Sequence, residues 1–305
     1  MDANLLNALS GQMADAVERI AQSLVMVNGR PRQPATGIAY AADLVLTADH
    51  VLEREDNLTV QTHDNRVLGA QIVGRDASTD LAVLRVQALG VPAATAAATA
   101  RIGQLALAVG RPSSDGVMAS LGVVSKIGGP MRTGRIGATL ERYIQTDATP
   151  YPGFSGGALV DVTGAAFGLL TTGFSRGPGG VFGRGAALVI PMDIALKVAN
   201  TLTKQGYVKR GYLGIVSQQV KLPPAQRSEA QEYGLLVVRV EENSPAEKGG
   251  LLIGDILLAV EGQPINDADD LMAALHGDRV GKPVAVRVSR GGVAQTLTVV
   301  VGQKS

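Results

Sequence analysis

The sequence predicts a mainly β protein, built as antiparallel barrels or a sandwich and followed by a smaller mixed α/β unit. Three observations carry that expectation. Short runs rich in Val, Ile, Leu and Thr recur at close spacing, divided by Gly, Asp, Asn and Pro. No helical pattern separates them, which argues against a parallel sheet with crossover helices. Beyond the polar segment KQGYVKRG, Lys204 to Gly211, the pattern changes to strands mixed with a helix.

In chain order, Leu5, Leu6, Leu9, Met13, Val17 and Ile20 recur at helical spacing and predict an N-terminal helix over residues 1–22. Strands are expected at Ser23–Val27, Gly37–Ala41, Leu44–Thr47, Leu58–Thr62, Leu68–Val73 and Leu81–Val86. A second group follows at Leu105–Val109, Ser120–Ile127, Tyr143–Thr146, Gly157–Val162, Ala165–Thr172 and Ala186–Ile190. A helix from Met192 to Lys204 is opened by Pro191 and closed by Gly206. Past the junction, strands are expected at LGIVS, Leu235–Val240, Asp255–Val260, Pro283–Ser289 and Ala294–Val301, with a helix from Asp267 to His276.

With 305 residues and 31.4 kDa, the chain is longer than one core usually organises, so two domains are expected. Twenty-eight Lys and Arg against 27 Asp and Glu leave a formal charge of +1, which supplies no broad basic field for nucleic acid. Cysteine is absent, which excludes disulfides, thiol catalysis and cysteine-bound metal. The imidazoles are His50, His63 and His276, and the last two read as surface or packing residues. The longest uncharged stretch, Val86 to Ala100, contains Pro92 and small residues and reads as a loop rather than a membrane span. The N-terminal segment has no compact apolar block like that of a secretory leader. As written the sequence therefore points to the cytoplasm, with a periplasmic or other extracytoplasmic site as the alternative if a leader has been removed.

Residues 150–162, PYPGFSGGALVDV, set Ser155 among glycines. A nucleophile elbow of the α/β-hydrolase kind needs a helix after the serine and a later histidine in the same domain. Here two apolar runs cross an Asp-Val-Thr-Gly turn, which is a hairpin, and the only later histidine is His276. The other serine arrangement runs His, Asp, Ser on antiparallel barrels. LTADHVL around His50 and DASTDLAVLRV around Asp80 supply the first two.

With those residues in place the chain resembles the HtrA/Deg serine proteases. LVLTADHVL, DASTDLAVLRV, LALAVGRP, SLGVVSKI, IQTDATPYPGFSGGALVD and ALVIP recur in family order. Past the junction, RGYLGI, GLLVVRVEENSPAEKGGLLIGDILLAVEGQPI and DDLMAAL look like the family's PDZ domain. The resemblance implies a chymotrypsin-like pair of six-stranded antiparallel barrels over residues 23–205, with a PDZ domain over 206–305.

Carried onto this sequence, the resemblance makes Ser155 the nucleophile, His50 the general base and acid, and Asp80 the group that orients the imidazole. Asp76 reads as a turn residue. The oxyanion hole would come from Gly153, Phe154 and Ser155, with the N–H groups of Gly153 and Ser155 as donors. Phe154 stands where the family has a small polar residue, so it either packs under the loop or covers the site and leaves it latent. Tyr151 and Pro152 would narrow the entrance. The specificity pocket would be walled by Thr149, Pro150, Tyr151, Pro152, Ala187, Leu188 and Val189; none is charged, so small to medium aliphatic side chains are the expected guests. The Gly- and Pro-rich stretch TTGFSRGPGGVFGR, residues 171–184, would be a mobile switch loop beside it.

In the PDZ domain, Tyr212, Leu213 and Gly214 would receive a peptide carboxylate and Ile215, Val216 and Ser217 the added strand. The acidic run Asp267 to Asp270 reads as a helix cap rather than a metal site. The activity implied is ATP-independent endoproteolysis of misfolded or unstructured polypeptide, with the alternative of a peptide-binding chaperone or scaffold whose proteolysis is weak or latent. No cofactor is implied. The partners would be unfolded chains, peptide C-termini and further copies of the protein, most simply as a trimer.

Overall fold

A computed structural model describes residues 3–132, 139–174, 187–208, 210–227, 231–275 and 279–304. The chain divides into two compact units, the first ending at Val208.

The first unit opens with helix α1 (Ala3–Ala21), whose Ala16 and Ile20 are buried while Leu5 and Leu6 stay exposed. Six strands then close a barrel: β1 (Leu24–Asn28), β2 (Ala35–Ala41), β3 (Leu44–Ala48), β4 (Leu58–Gln61), β5 (Val67–Asp76) and β6 (Leu81–Arg85), in the order β1-β2-β3-β6-β5-β4. The run of small residues from Val86 to Ala100 is irregular, as expected, and links the barrels. Ala94 N–H donates to Ala39 O of the first barrel, while in the second Ala97 N–H donates to Ala166 O and Ala166 N–H to Thr95 O.

The second barrel comprises β7 (Leu105–Ser113), β8 (Gly116–Gly128), β11 (Tyr143–Thr146), β12 (Ala158–Val160), β13 (Ala166–Thr171) and β14 (Ala187–Pro191), ordered β11-β14-β13-β12-β7-β8. A two-stranded ribbon of β9 (Met131–Arg132) and β10 (Thr139–Leu140) branches from it. The β7–β8 hairpin runs farther than the sequence suggests. The expected strands Leu105–Val109 and Ser120–Ile127 stop short of the turn, yet a register shift between Gly110 and Ser113 carries the pairing to Gly116, whose φ of 126° suits glycine.

Alternate residues of the second barrel face different cores. Ala106, Ala108, Leu159, Leu170, Ala187 and Val189 fill its interior, while Leu107, Val109, Val160, Leu169, Leu188 and Ile190 join the cluster that holds the first barrel. Burial on both faces explains why these strands read as continuous apolar runs instead of alternating ones. Helix α2 (Met192–Gln205) follows and ends at Gly206, φ 78°, whose N–H returns to Leu202 O.

The second unit carries a sheet ordered β16 (Ile215–Lys221), β17 (Tyr233–Val240), β18 (Ile256–Val260), β20 (Pro283–Arg290) and β21 (Val293–Val300), with β19 (Gln263–Pro264) paired to β18. The short strands β15 (Arg210–Tyr212) and β22 (Gly302–Lys304) pair separately. Helices α3 (Pro245–Lys248) and α4 (Ala268–Ala274) complete it. α4 opens as the acidic run predicts: the Asp267 side chain caps it by accepting from Asp270 N–H, and Asp270 in turn accepts from Asn266 N–H. His276 and residues 175–186, the greater part of the expected switch loop, lie outside the described residues.

Candidate active site

His50 and Asp80 meet because β3 and β6 are neighbours. Ala48 pairs with Leu81, so the single turn of 3₁₀-helix after β3 (Asp49–Val51) lies against the residue that precedes β6. Asp49 N–H donates to Asp80 O at 3.0 Å. Asp80 adopts a left-handed backbone, φ 57°, which aspartate tolerates better than most residues. Its carboxylate, 0% exposed, is met by His50 N–H at 2.9 Å, by His50 Nδ1 at 2.8 Å and by the Thr171 hydroxyl. A carboxylate only accepts, so the imidazole carries its proton on Nδ1 and leaves Nε2 as a base. Arg75 braces the turn beneath: its guanidinium donates to the Asp49 carboxylate at 2.6 Å and to the carbonyls of Asp49 and Leu52.

Ser155 is carried by the second barrel. Gly156 N–H donates to Leu170 O, while Ser155 O accepts from Thr36 N–H of β2, so the serine loop is tied to both barrels. A Cβ on Gly156 would stand 2.0 Å from Thr36 O, and φ is 86°, so glycine is required here on two counts. The Ser155 hydroxyl, in a residue 5% exposed, pairs with Thr172 Oγ1 at 2.9 Å.

Tyr151 to Phe154 form a turn closed by Phe154 N–H to Tyr151 O at 3.0 Å, with Pro152 second and Gly153 third at φ 89°. That is a type II turn with the residues it favours. Its rigidity comes from Thr36, whose hydroxyl donates to Gly153 O at 2.8 Å. Of the three residues expected around an oxyanion hole, Phe154 is removed as a donor, because its N–H is spent on Tyr151. Among the described residues the N–H groups of Gly153 and Ser155 have no such internal acceptor. The phenylalanine ring settles the two alternatives left open for it. It is fully buried in the second barrel beside Gly110, edge-on to Tyr151 at 5.4 Å, and so lies under the loop and does not cover the site.

The expected pocket wall divides. Thr149, Tyr151 and Pro152 are exposed and Pro150 is half-buried, whereas Ala187, Leu188 and Val189 are core residues. β14, which carries the last three, is paired on both sides, to β11 and β13. Asp76 is a turn residue as expected, with Ser78 and Thr79 hydroxyls donating to it. His63 is half-buried beyond β4.

The contacts of four residues at the site escaped the sequence reading: Thr36, and Thr171, Thr172 and Gly173, which it placed only at the head of the expected switch loop. A Cβ at Gly173 would lie 2.5 Å from Asp80 Oδ2 and 2.9 Å from His50 Nδ1. The signal for their contacts was a pair of hydroxyls at the end of an apolar strand, one hairpin past the serine.

In the second unit β16 is an edge strand, open on the side away from β17, and α4 lies beside it. Leu213 O and Gly214 O are already taken, by Ala246 N–H and Glu241 N–H. Gly214, at φ 83°, sits where a Cβ would be 2.3 Å from the Ser244 Cβ. The segment Tyr212 to Ser217 thus places a glycine turn at the head of an open sheet edge, the arrangement that strand addition needs.

Residues 35–169 match the family model described as a trypsin-like peptidase domain, and residues 211–301 the one described as a PDZ domain. A relative named "Probable periplasmic serine endoprotease DegP-like", from Pseudomonas savastanoi pv. phaseolicola, is 36% identical over 261 residues, covering 85% of this chain and 53% of the relative. The chain therefore spans about half the length of the curated relatives it matches. Among solved structures, an HtrA-type protease, AlgW with decapeptide, superimposes with a TM-score of 0.75 at 30% identity, over 96% of this chain and 99% of that one. The serine endoprotease from Yersinia pestis gives 0.74 at 29%, over 96% and 98%. Two closed six-stranded barrels, a following PDZ domain and near-complete alignment with such a structure place the chain in the HtrA family of trypsin-like serine proteases.

Proposed function

We propose that the chain is an ATP-independent serine endopeptidase that cleaves unstructured or misfolded polypeptide, with the PDZ domain taking peptide C-termini. The observation that carries this reading is the buried Asp80 carboxylate fixing His50 Nδ1 at 2.8 Å while Ser155 is tied across both barrels. Ser155 Oγ attacks the scissile carbonyl as His50 Nε2 removes its proton. Negative charge gathers on the carbonyl oxygen, and the N–H groups of Gly153 and Ser155 donate to it from the type II turn. His50 returns the proton to the leaving amine, leaving an acyl-serine that water hydrolyses by the same route. Asp80 keeps the imidazole in one tautomer and stabilises its cation.

At the second unit, a peptide extends β16 and its terminal carboxylate meets the turn at Leu213 and Gly214. The relatives' names specify the periplasm, and we assign the chain there in place of the cytoplasm. Exposed Leu5 and Leu6 on α1 support self-association, most simply as a trimer.

Fluorophosphonate labelling and casein digestion, with and without a peptide ending in apolar residues, test the reading. Wild type should label and digest casein faster with the peptide, and Ser155→Ala should do neither. Labelling of the alanine variant at the wild-type level, or inert wild type under both conditions, would overturn it. Sedimentation of the wild type and a Leu5→Asp, Leu6→Asp variant tests the assembly.

A further inference from the structure

The three residues Thr171, Thr172 and Gly173 touch every member of the proposed triad. The Thr171 hydroxyl is on Asp80, the Thr172 hydroxyl is 2.9 Å from Ser155 Oγ, and Gly173 abuts Asp80 and His50. Two of these contacts support the acid–base pair. The third engages the nucleophile itself. A serine hydroxyl has one proton and two lone pairs, and its proton must point at the base before it can attack. Among the described residues, the hydrogen-bond partner of Ser155 Oγ is Thr172, and the His50 ring is engaged through Nδ1 with Asp80.

We infer that Thr172 is a positioning residue that latches the nucleophile: its hydroxyl holds Ser155 Oγ at rest and competes with His50 for it. The inference rests on the reading of Ser155 as nucleophile. If Ser155 donates to Thr172, its proton faces away from the imidazole. If Thr172 donates, one lone pair is occupied and the Ser155 rotamer is fixed. In the first case the proton can turn to the imidazole only when the latch breaks, and in the second the occupied lone pair leaves the oxygen a poorer nucleophile until the latch opens. The latch is stiff because Thr is β-branched and because its neighbours are pinned, Thr171 to Asp80 and Gly173 N–H to Thr171 Oγ1 at 2.9 Å. It is also weak enough to open, since one neutral hydrogen bond shifts a two-state population by only about two- to tenfold.

The test is the rate of inactivation of the full chain by diisopropyl fluorophosphate, a probe too small to use a peptide groove. Thr172→Val keeps the shape and removes the hydroxyl; Thr172→Ser keeps the hydroxyl. Thr172→Val should react about two- to tenfold faster than wild type, with the midpoint of its rate–pH profile unmoved, and Thr172→Ser should return to within about twofold of wild type. Thr172→Ala, tested beside it, should also be faster, which guards against a packing fault peculiar to valine. If Thr172→Val and Thr172→Ala react at the wild-type rate or slower, in a process that still requires Ser155, the latch is wrong and the protease reading stands. If Ser155→Ala is inactivated and labelled like wild type, the nucleophile assignment falls and the latch falls with it.

Discussion

Thr171 and His50 share one oxygen of Asp80: the threonine hydroxyl donates to Oδ2, which His50 Nδ1 approaches at 2.8 Å. The carboxylate is fully buried, so water cannot replace a lost donor. Thr171→Val should therefore leave a charged acceptor short of one partner and free to turn. We expect kcat to fall roughly tenfold or more with KM within about twofold, and stability to drop by about 1–3 kcal/mol. Steady-state kinetics on a peptide substrate, paired with urea titration, would measure both. An unchanged kcat would mean that the two His50 bonds hold Asp80 in place without Thr171.

Gly173 owes its identity to the same carboxylate. Its missing Cβ would fall 2.5 Å from Asp80 Oδ2, 2.9 Å from Asp80 Cγ and 2.9 Å from His50 Nδ1. None of those atoms ends a flexible chain, so Gly173→Ala must push the acid–base pair apart or lift the segment off it. Displacements near 1 Å at reacting groups cost roughly a hundredfold in rate. The expected signature is a kcat loss of about that size in a protein whose melting temperature changes little. Wild-type kcat in Gly173→Ala would show that the segment yields freely.

Arg75 is expected to act on the site from one layer below. It braces the turn that carries His50 through the Asp49 carboxylate and two carbonyls. Asp49 is almost wholly buried, so Arg75→Met removes the guanidinium beside a carboxylate that water barely reaches. A loss of about 2–3 kcal/mol is expected, with kcat reduced several-fold as the turn loosens. Arg75→Lys should recover little, because one ammonium cannot span the three acceptors that the planar fork spans. Denaturant titration of both variants, in which lysine restored wild-type stability, would reduce the brace to a simple charge pair.

What the sequence made legible follows the reach of each signal. His50, Asp80 and Ser155 were readable because each lies in a motif several residues long, and barrel strands were readable because apolar runs broken by turn residues have few other uses. The contacts of Thr36, Thr171 and Thr172 were not, because a threonine in or beside a strand ordinarily means no more than a fit to the pleat. Their roles arise from contacts across 17 to 117 positions of chain, such as Thr36 with Gly153, that no local pattern encodes. How Ala187, Leu188 and Val189 pack was hidden for a related reason: an uncharged strand looks the same in sequence whether it lines a pocket or fills a core. Phe154 was legible as a departure from the family, but the direction of its ring depended on Gly110 opposite, where any side chain would collide with it.

The Asp255–Arg290 pair makes the stability of the second unit depend on acid. Asp255 is 1% exposed at its side chain and takes two bonds from Arg290, both at 2.8 Å, and one from Leu252 N–H at 2.9 Å. Burial alone would raise its pKa, but the Arg290 hydrogen bonds, the Leu252 amide and the guanidinium charge together outweigh burial and hold it below the usual carboxylate value. A depressed folded-state pKa means that the unfolded chain binds the proton more readily. The stabilisation is therefore complete above the unfolded carboxylate value, about 3.9, and fades as pH falls through the lower folded value. Arg290→Met should melt about 4–8 °C below wild type near neutrality in the transition of this unit, and the gap should close as the pH is lowered past 4 toward 2. Calorimetry of the full-length wild type and variant at matched pH values isolates this pair from the other carboxylates, because those titrate alike in both proteins. A gap that stayed constant down to pH 2 would show that Arg290 contributes through packing and its bond to Gly250 O, and not through the charge on Asp255.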